Sequence, residues 1–205
     1  MSYPDNNLLA EDEVLILDAI DQFLERDVRP YAHDLEAADE YPKAIAEKLV
    51  ELGLMGATIP SKYGGLGLSA ATYTRIVERV SAVWMSVSGI FNAHLIMAQT
   101  VERAGTEKQK QKWLPRFASG ELLGGIALTE PDCGTDLQGI RTKATRDGDH
   151  YIIDGNKMWI TNSVEGNILA VLVKTNPNAD PPHRGMSLIL VERVSGYKTA
   201  KLKKL

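Results

Sequence analysis

The hydrophobic periodicity of this chain changes once, close to Gly120, and a polypeptide that changes period has to change architecture. Upstream of that point the apolar residues recur at helical spacing. Val14, Leu17, Ile20 or Phe23, Leu24 and Val28 recur at helical spacing between Glu11 and Arg29, and Pro30 is expected to stop the helix. A second helix is expected to begin at Pro42, with Ile45, Leu49 and Leu52 on one side and Gly53 at its C-terminal cap. Ser69 can cap a long stretch that runs toward Ala104 and breaks between Trp84 and Gly89. That stretch is apolar on more than one face, so it belongs in a buried helix pair or beneath a partner subunit. Gly105 closes it, and Thr106-Glu107-Lys108-Gln109 reads as the capping box of a further helix ending near Ser119.

Downstream the runs are short. Leu122 to Thr129 lies between glycines and Pro131 and reads as a strand. Thr142 to Arg146 and His150 to Ile153 flank Asp147-Gly148-Asp149, a hairpin signal. Lys157 to Thr161, Ile168 to Lys174 and Met186 to Val191 read as three more strands, and Asn176 to His183 as a loop. The expected fold class is α+β: an all-α N-terminal domain over residues 1–121, then an incomplete antiparallel, β-barrel-like domain over residues 122–205. The last residues carry no closing pattern, and an open sheet leaves unpaired edges, so a truncated chain is expected.

Composition serves mainly to exclude. With 23 basic against 27 acidic residues the net charge is −4, which gives no bulk attraction to nucleic acid or to an anionic membrane. One cysteine allows neither an intrachain disulfide nor a cysteine zinc cage, and His33, His94, His150 and His183 lack ligand spacing, so no metal is expected. Met1 to Asn7 has no secretory-signal character. Arg75, Glu78, Arg79, Glu102 and Arg103 flank the most apolar stretch, so no membrane span is expected. These features point to a soluble protein of a reducing compartment, cytoplasmic, with the mitochondrial matrix as the alternative.

Two segments could carry chemistry. In Ile126-Ala127-Leu128-Thr129-Glu130-Pro131-Asp132-Cys133-Gly134-Thr135-Asp136 a strand ends, Pro131 turns the chain, and Gly134 permits close approach. Such a turn presents N–H groups and hydroxyls to one side, which suits a pyrophosphate or the edge of a flavin; it is equally an ordinary turn closed by Asx hydrogen bonds. In Asn156-Lys157-Met158-Trp159-Ile160-Thr161-Asn162 a strand would put Trp159 and Thr161 on one face. An aromatic beside a hydroxyl suits a planar heterocycle, but Trp159 can equally be a core residue and Thr161 a strand end. Local chemistry leaves both questions open.

Taken together, Leu122 to Pro131, Gly134-Thr135-Asp136 and Gly155 to Asn162 closely resemble the flavin-binding middle domain of the acyl-CoA dehydrogenase family. Tyr63-Gly64-Gly65-Leu66-Gly67 and Gly105-Thr106-Glu107-Lys108-Gln109-Lys110 extend the resemblance upstream, in the family's order and spacing, from about Glu11 to Leu205. It implies a helical domain, a β domain and a C-terminal four-helix bundle, with FAD between the latter two and across a subunit interface. It also implies oxidation of an acyl-CoA thioester to the trans-2-enoyl-CoA, with electrons passed to an electron-transfer flavoprotein.

By position, Ile126, Leu128 and Thr129 match residues that meet the pyrimidine edge of the flavin, Trp159 the indole packed on its ring, and Thr161 the hydroxyl near its N5 and O4. Thr135 matches a position touching both FAD and the acyl-CoA. Residues from Phe91 to Gln99 match the helix that lines the acyl-chain tunnel. Glu130 and Asp136 are read as turn-forming or supporting groups and Cys133 as an inert thiol. The family's catalytic glutamate belongs to the C-terminal bundle, which this chain does not reach, so no catalytic residue is expected here and the chain alone should not turn over substrate. A homo-oligomer is implied for the full-length protein. Acyl-CoA oxidases and flavin monooxygenases of the same superfamily share these features, and a non-catalytic interaction protein built on the helical half is the remaining alternative.

Overall fold

A computed structural model describes residues 11–202 of the chain; Met1 to Asn7 and the lysines at 203 and 204 lie outside the described residues. The chain divides after Glu121 into two compact units.

The first unit is helical: α1 (Glu11–Phe23), α2 (Arg29–Ala38), α3 (Lys43–Glu51), α4 (Ala70–Ala104) and α5 (Glu107–Ala118). Pro30 does not end the first helix as expected. Leu24–Val28 widens into a π-helical turn, and Pro30 then sits in the first turn of α2, where a missing N–H costs least. Ser69 caps α4 by accepting the Thr72 N–H at 3.1 Å. Inside α4, Trp84 takes extended dihedrals (φ −158°, ψ 104°) and breaks the helix where a break was expected. Glu36 of α2 receives the Trp84 indole N–H there. The capping box of α5 forms in full, with Thr106 N–H donating to Gln109 Oε1 at 2.8 Å and Gln109 N–H to Thr106 Oγ1 at 3.3 Å.

By length and composition α4 could cross a membrane, contrary to the sequence expectation: the nearby charges flank its apolar window instead of interrupting it. Half of that window (50%) is buried within the chain, as in a helix at the centre of a helical domain. Phe91, Leu95 and Met97, the candidate tunnel residues, all turn into this core. His94 lies between them, fully buried, donating from Nε2 to the Phe117 carbonyl at 3.1 Å and meeting the Phe117 ring edge-on at 5.7 Å.

The second unit contains β1 (Gly124–Ala127), β2 (Lys143–Asp147), β3 (His150–Asp154), β4 (Ile168–Lys174) and β5 (Met186–Glu192). The hairpin turn at Asp147-Gly148-Asp149 joins β2 to β3, with Gly148 at φ 58°. β4 is the hub. β5 runs antiparallel along its whole length, Ile168 opposite Glu192 and Lys174 opposite Met186. β1 runs parallel to its first four residues, and β2 meets it only where Lys143 faces Lys174.

Two expectations are corrected here. The sheet is mixed, not antiparallel, because the chain between β1 and β4 returns to the same end before re-entering the sheet. It does not close into a barrel, because among the described strands β3 pairs only with β2 and β5 only with β4. Lys157 to Thr161 is not a strand. Ile160 packs into the core with Ala144, Leu169 and Val171, whereas Trp159 takes a left-handed φ of 62°. An alternating pattern that looks like a strand here serves to anchor a loop.

Burial holds the His94 pKa down to about 4 from an ordinary 6.5, opposed by its backbone hydrogen bonds. Stability is therefore whole above pH 6.5 and is lost as pH falls toward 4, because the unfolded chain takes up a proton that the folded one refuses. The loss from this group should approach about 3 kcal/mol. Urea unfolding midpoints measured across that window should fall with pH, and His94→Gln should flatten the slope.

Candidate functional site

The candidate site grows from the end of β1. Ile126 is half-buried in the strand opposite Ala170, and Leu128 and Thr129 continue beyond its last ladder residue, also half-buried. Glu130 and Cys133 then close a four-residue turn, with Glu130 N–H to Cys133 O at 2.8 Å and Cys133 N–H to Glu130 O at 3.2 Å. Pro131 removes a donor inside that turn. Gly134 follows close beside Thr129: a Cβ built on it would stand 3.8 Å from Thr129 Cγ2. Thr135 comes next and is exposed.

The loop from Gly155 to Asn167 is tied to β1 along its length. Met158 N–H donates to Thr129 O at 2.9 Å. Lys157 Nζ donates to Leu128 O at 2.9 Å and to Glu130 Oε1 at 2.9 Å. Asn162 Nδ2 donates to Gly124 O at 2.8 Å, and Asn167 N–H to Leu123 O at 2.8 Å. Gly166 is required at this seam, since a Cβ there would sit 2.5 Å from Asn162 O and 2.6 Å from Leu123 O. Between these ties Trp159 stands with 68% of its surface exposed, one peptide away from the Thr129 contact. Thr161 is exposed as well.

Glu130 is the electrostatic centre of the arrangement. Its carboxylate accepts from Arg141 N–H at 2.6 Å, Thr142 N–H at 3.0 Å and Lys157 Nζ at 2.9 Å, with the two charged side chains almost fully buried. Burial alone would raise its pKa; the hydrogen bonds from Thr142, Arg141 and Lys157 outweigh it and pull the group to about 2. The other charges of the turn are also engaged: Asp132 pairs with Arg141 at 2.8 Å, and Asp136 accepts from Gln138 N–H at 3.2 Å. By contrast, among the described residues the Thr129 N–H and the hydroxyls of Thr129 and Thr161 hydrogen-bond to no other protein group.

The two segments therefore converge, and Thr129, Thr135 and Trp159 lie close along the chain to the contacts that join them. What sequence reasoning missed is the brace beneath. Lys157 gives no motif signal of its own, and the buried Asn162 looks like a loop asparagine until its amide is seen on Gly124. Cys133 contributes its backbone to the turn and is free as a thiol.

Comparison with known proteins places the arrangement in a family. The acyl-CoA dehydrogenase N-terminal domain profile matches residues 10–121, and the acyl-CoA dehydrogenase middle domain profile matches residues 125–205. The chain belongs to the acyl-CoA dehydrogenase family. It is 38% identical over 189 residues to a (2S)-methylsuccinyl-CoA dehydrogenase from Cereibacter sphaeroides, across 92% of this chain and 34% of that protein. Among solved structures, an acyl-CoA dehydrogenase from Geobacillus kaustophilus shares 40% identity and a TM-score of 0.83, over 91% of this chain and 49% of its own. An acyl-CoA dehydrogenase from Bacillus anthracis, solved in complex with FAD, shares 30% identity and a TM-score of 0.85, over 97% of this chain and 33% of its own. The chain thus spans between a third and a half of the length of these relatives. The family is FAD-dependent, and the residues present fit that group: an exposed indole plane beside free hydroxyl and amide donors is the donor set a flavin ring requires.

The loop's dependence on its ties is measurable. Asn162→Ala removes a buried hydrogen bond and leaves a non-glycine residue at φ 63° without the side chain that favours it. It should cost about 2 kcal/mol in denaturant unfolding, and Asn162→Gly should recover part of that loss.

Proposed function

We propose that this chain provides the helical and flavin-facing domains of an FAD-dependent acyl-CoA dehydrogenase, which converts an acyl-CoA thioester to its trans-2-enoyl-CoA and delivers the electrons to an electron-transfer flavoprotein. The observation that carries this reading is the 2.9 Å hydrogen bond from Met158 N–H to Thr129 O, which seats Trp159 beside the turn after β1. FAD, when bound, supplies the two-electron acceptor that removal of hydrogen across Cα–Cβ needs. In this reading the chain's residues bind and orient. Trp159 offers a flat apolar surface to the ring, and the amide and hydroxyl of Thr129, with the Thr161 hydroxyl, donate toward its polar edge. Donors fixed in advance favour negative charge there. Ile126 and Leu128 shape the adjoining backbone, and Thr135 reaches toward both the ring and the thioester substrate.

The carboxylate nearest this surface is unsuited to proton abstraction. A group whose pKa is pulled to about 2, and which already accepts from an ammonium and two amides, is a weak base. In this reading Glu130 braces the turn and is not the base that takes the α proton.

Trp159→Gly tests the reading. It deletes the exposed plane and relieves a left-handed backbone, so unfolding stability should stay within about 1 kcal/mol of the parent or rise. FAD affinity, followed by equilibrium titration, should fall at least tenfold. Undiminished affinity would overturn the assignment of Trp159 to the ring.

A further inference from the structure

Lys157 holds the carbonyl of the very peptide whose N–H belongs to Thr129. The Leu128 oxygen receives its ammonium at 2.9 Å, and the Leu128–Thr129 peptide carries the Thr129 amide on its other end. That amide donates to no other protein group among the described residues. A cation on a peptide oxygen withdraws electron density through the amide and strengthens its N–H as a donor. The ammonium cannot drift away, because Glu130 Oε1 grips it at 2.9 Å and both side chains are nearly inaccessible to water. A low local dielectric makes the field of each buried charge longer-ranged than at a surface.

We propose that Lys157 is a positioning residue that polarises the Leu128–Thr129 peptide, so that the Thr129 N–H favours negative charge on the ring edge it meets, with Glu130 as the opposing charge that sets how strong this effect is. The inference rests on the reading of Thr129 as a flavin-facing donor and names the device that tunes it. A purely structural brace makes a different prediction: breaking it from either side loosens the same loop, so both substitutions shift every property of the site in one direction. The polarising role requires opposite signs. Removing the cation weakens the Thr129 donor, whereas removing the carboxylate leaves the cation less neutralised and strengthens it.

The experiment compares the FAD-loaded protein carrying this chain with its Lys157→Met, Glu130→Gln and Lys157→Arg variants. A Glu130→Gln/Lys157→Met double variant removes both charges at once, for the case in which a lone buried carboxylate prevents folding. The midpoint potential of bound FAD should become more negative in Lys157→Met and in the double variant, more positive in Glu130→Gln, and return toward the parent in Lys157→Arg. Independently of flavin, the Thr129 amide proton should move upfield in NMR spectra of the apo double variant and downfield in apo Glu130→Gln. If the shifts and potentials of the Glu130 and Lys157 variants move in the same direction, or do not move, the polarising role is overturned while the flavin site stands. If the parent protein binds no FAD and its Thr129 amide still responds with opposite signs, the function proposed above fails and the peptide device remains.

Discussion

A carboxylate buried at Glu130 must be satisfied, and everything around the candidate site is arranged by the groups that satisfy it. Leaving an ionised carboxylate unpaired in a protein interior costs several kcal/mol. Three donors meet this one: the backbone amides of Arg141 and Thr142 and the Lys157 ammonium. These donors and the carboxylate come from three different stretches of chain. The amides belong to the approach to β2, the ammonium to the loop after β3, and the carboxylate itself to the turn after β1. One side chain therefore ties together three segments that share no ladder hydrogen bonds at that point. The ion pair offers little net stabilisation over an apolar replacement. What it specifies is geometry: the turn after β1 and the tryptophan loop meet in one register.

That register explains how Trp159 can be both strained and exposed. A non-glycine residue in the left-handed region costs of order 1–3 kcal/mol, and an indole left in water forfeits its burial energy as well. Neither is sustainable in an untethered loop. Ile160 on one side buries against the sheet, Met158 on the other bonds Thr129, and Asn162 and Gly166 fix the far end against Gly124 and Leu123. Surrounding contacts outweigh the local cost and hold the Trp159 backbone in place.

Local signals in the sequence were reliable wherever the structure is decided locally. The capping box at Thr106, the Ser69 cap, the break at Trp84 and the Asp147-Gly148-Asp149 hairpin all depend on residues within a few positions of one another. Failures occur where distant partners decide. Pro30 is accommodated because a π turn precedes it, which no motif announces. Lys157 to Thr161 alternates like a strand, yet both edges of β4 are already taken by β5, β1 and β2, so no ladder position remains for it there. The parallel pairing of β1 with β4 is equally invisible, since it depends on how some forty residues between them return. At the site, the motif residues could be named from resemblance, but the Lys157–Glu130 brace could be seen only once the fold brought the two segments together.

Charge bookkeeping around the turn also decides what kind of ligand this surface can receive. A turn rich in N–H groups and hydroxyls could in principle cradle a pyrophosphate, which calls for an arginine, a lysine or a helix N-terminus free to meet it. Here Lys157 is committed to Glu130 and Leu128, and Arg141 is paired with Asp132. Of the carboxylates, Glu130 is paired with Lys157 and Asp132 with Arg141, while the exposed Asp136 accepts the Gln138 N–H. Among the described residues, the groups near the exposed indole that hydrogen-bond to no other protein group include the Thr129 amide and the hydroxyls of Thr129, Thr135 and Thr161, all of them neutral. Neutral donors at the rim of an aromatic surface select a flat, uncharged heterocycle with acceptor atoms on its edge. Because the donors are held in place before the ligand arrives, they favour it most when its edge carries the greatest negative charge.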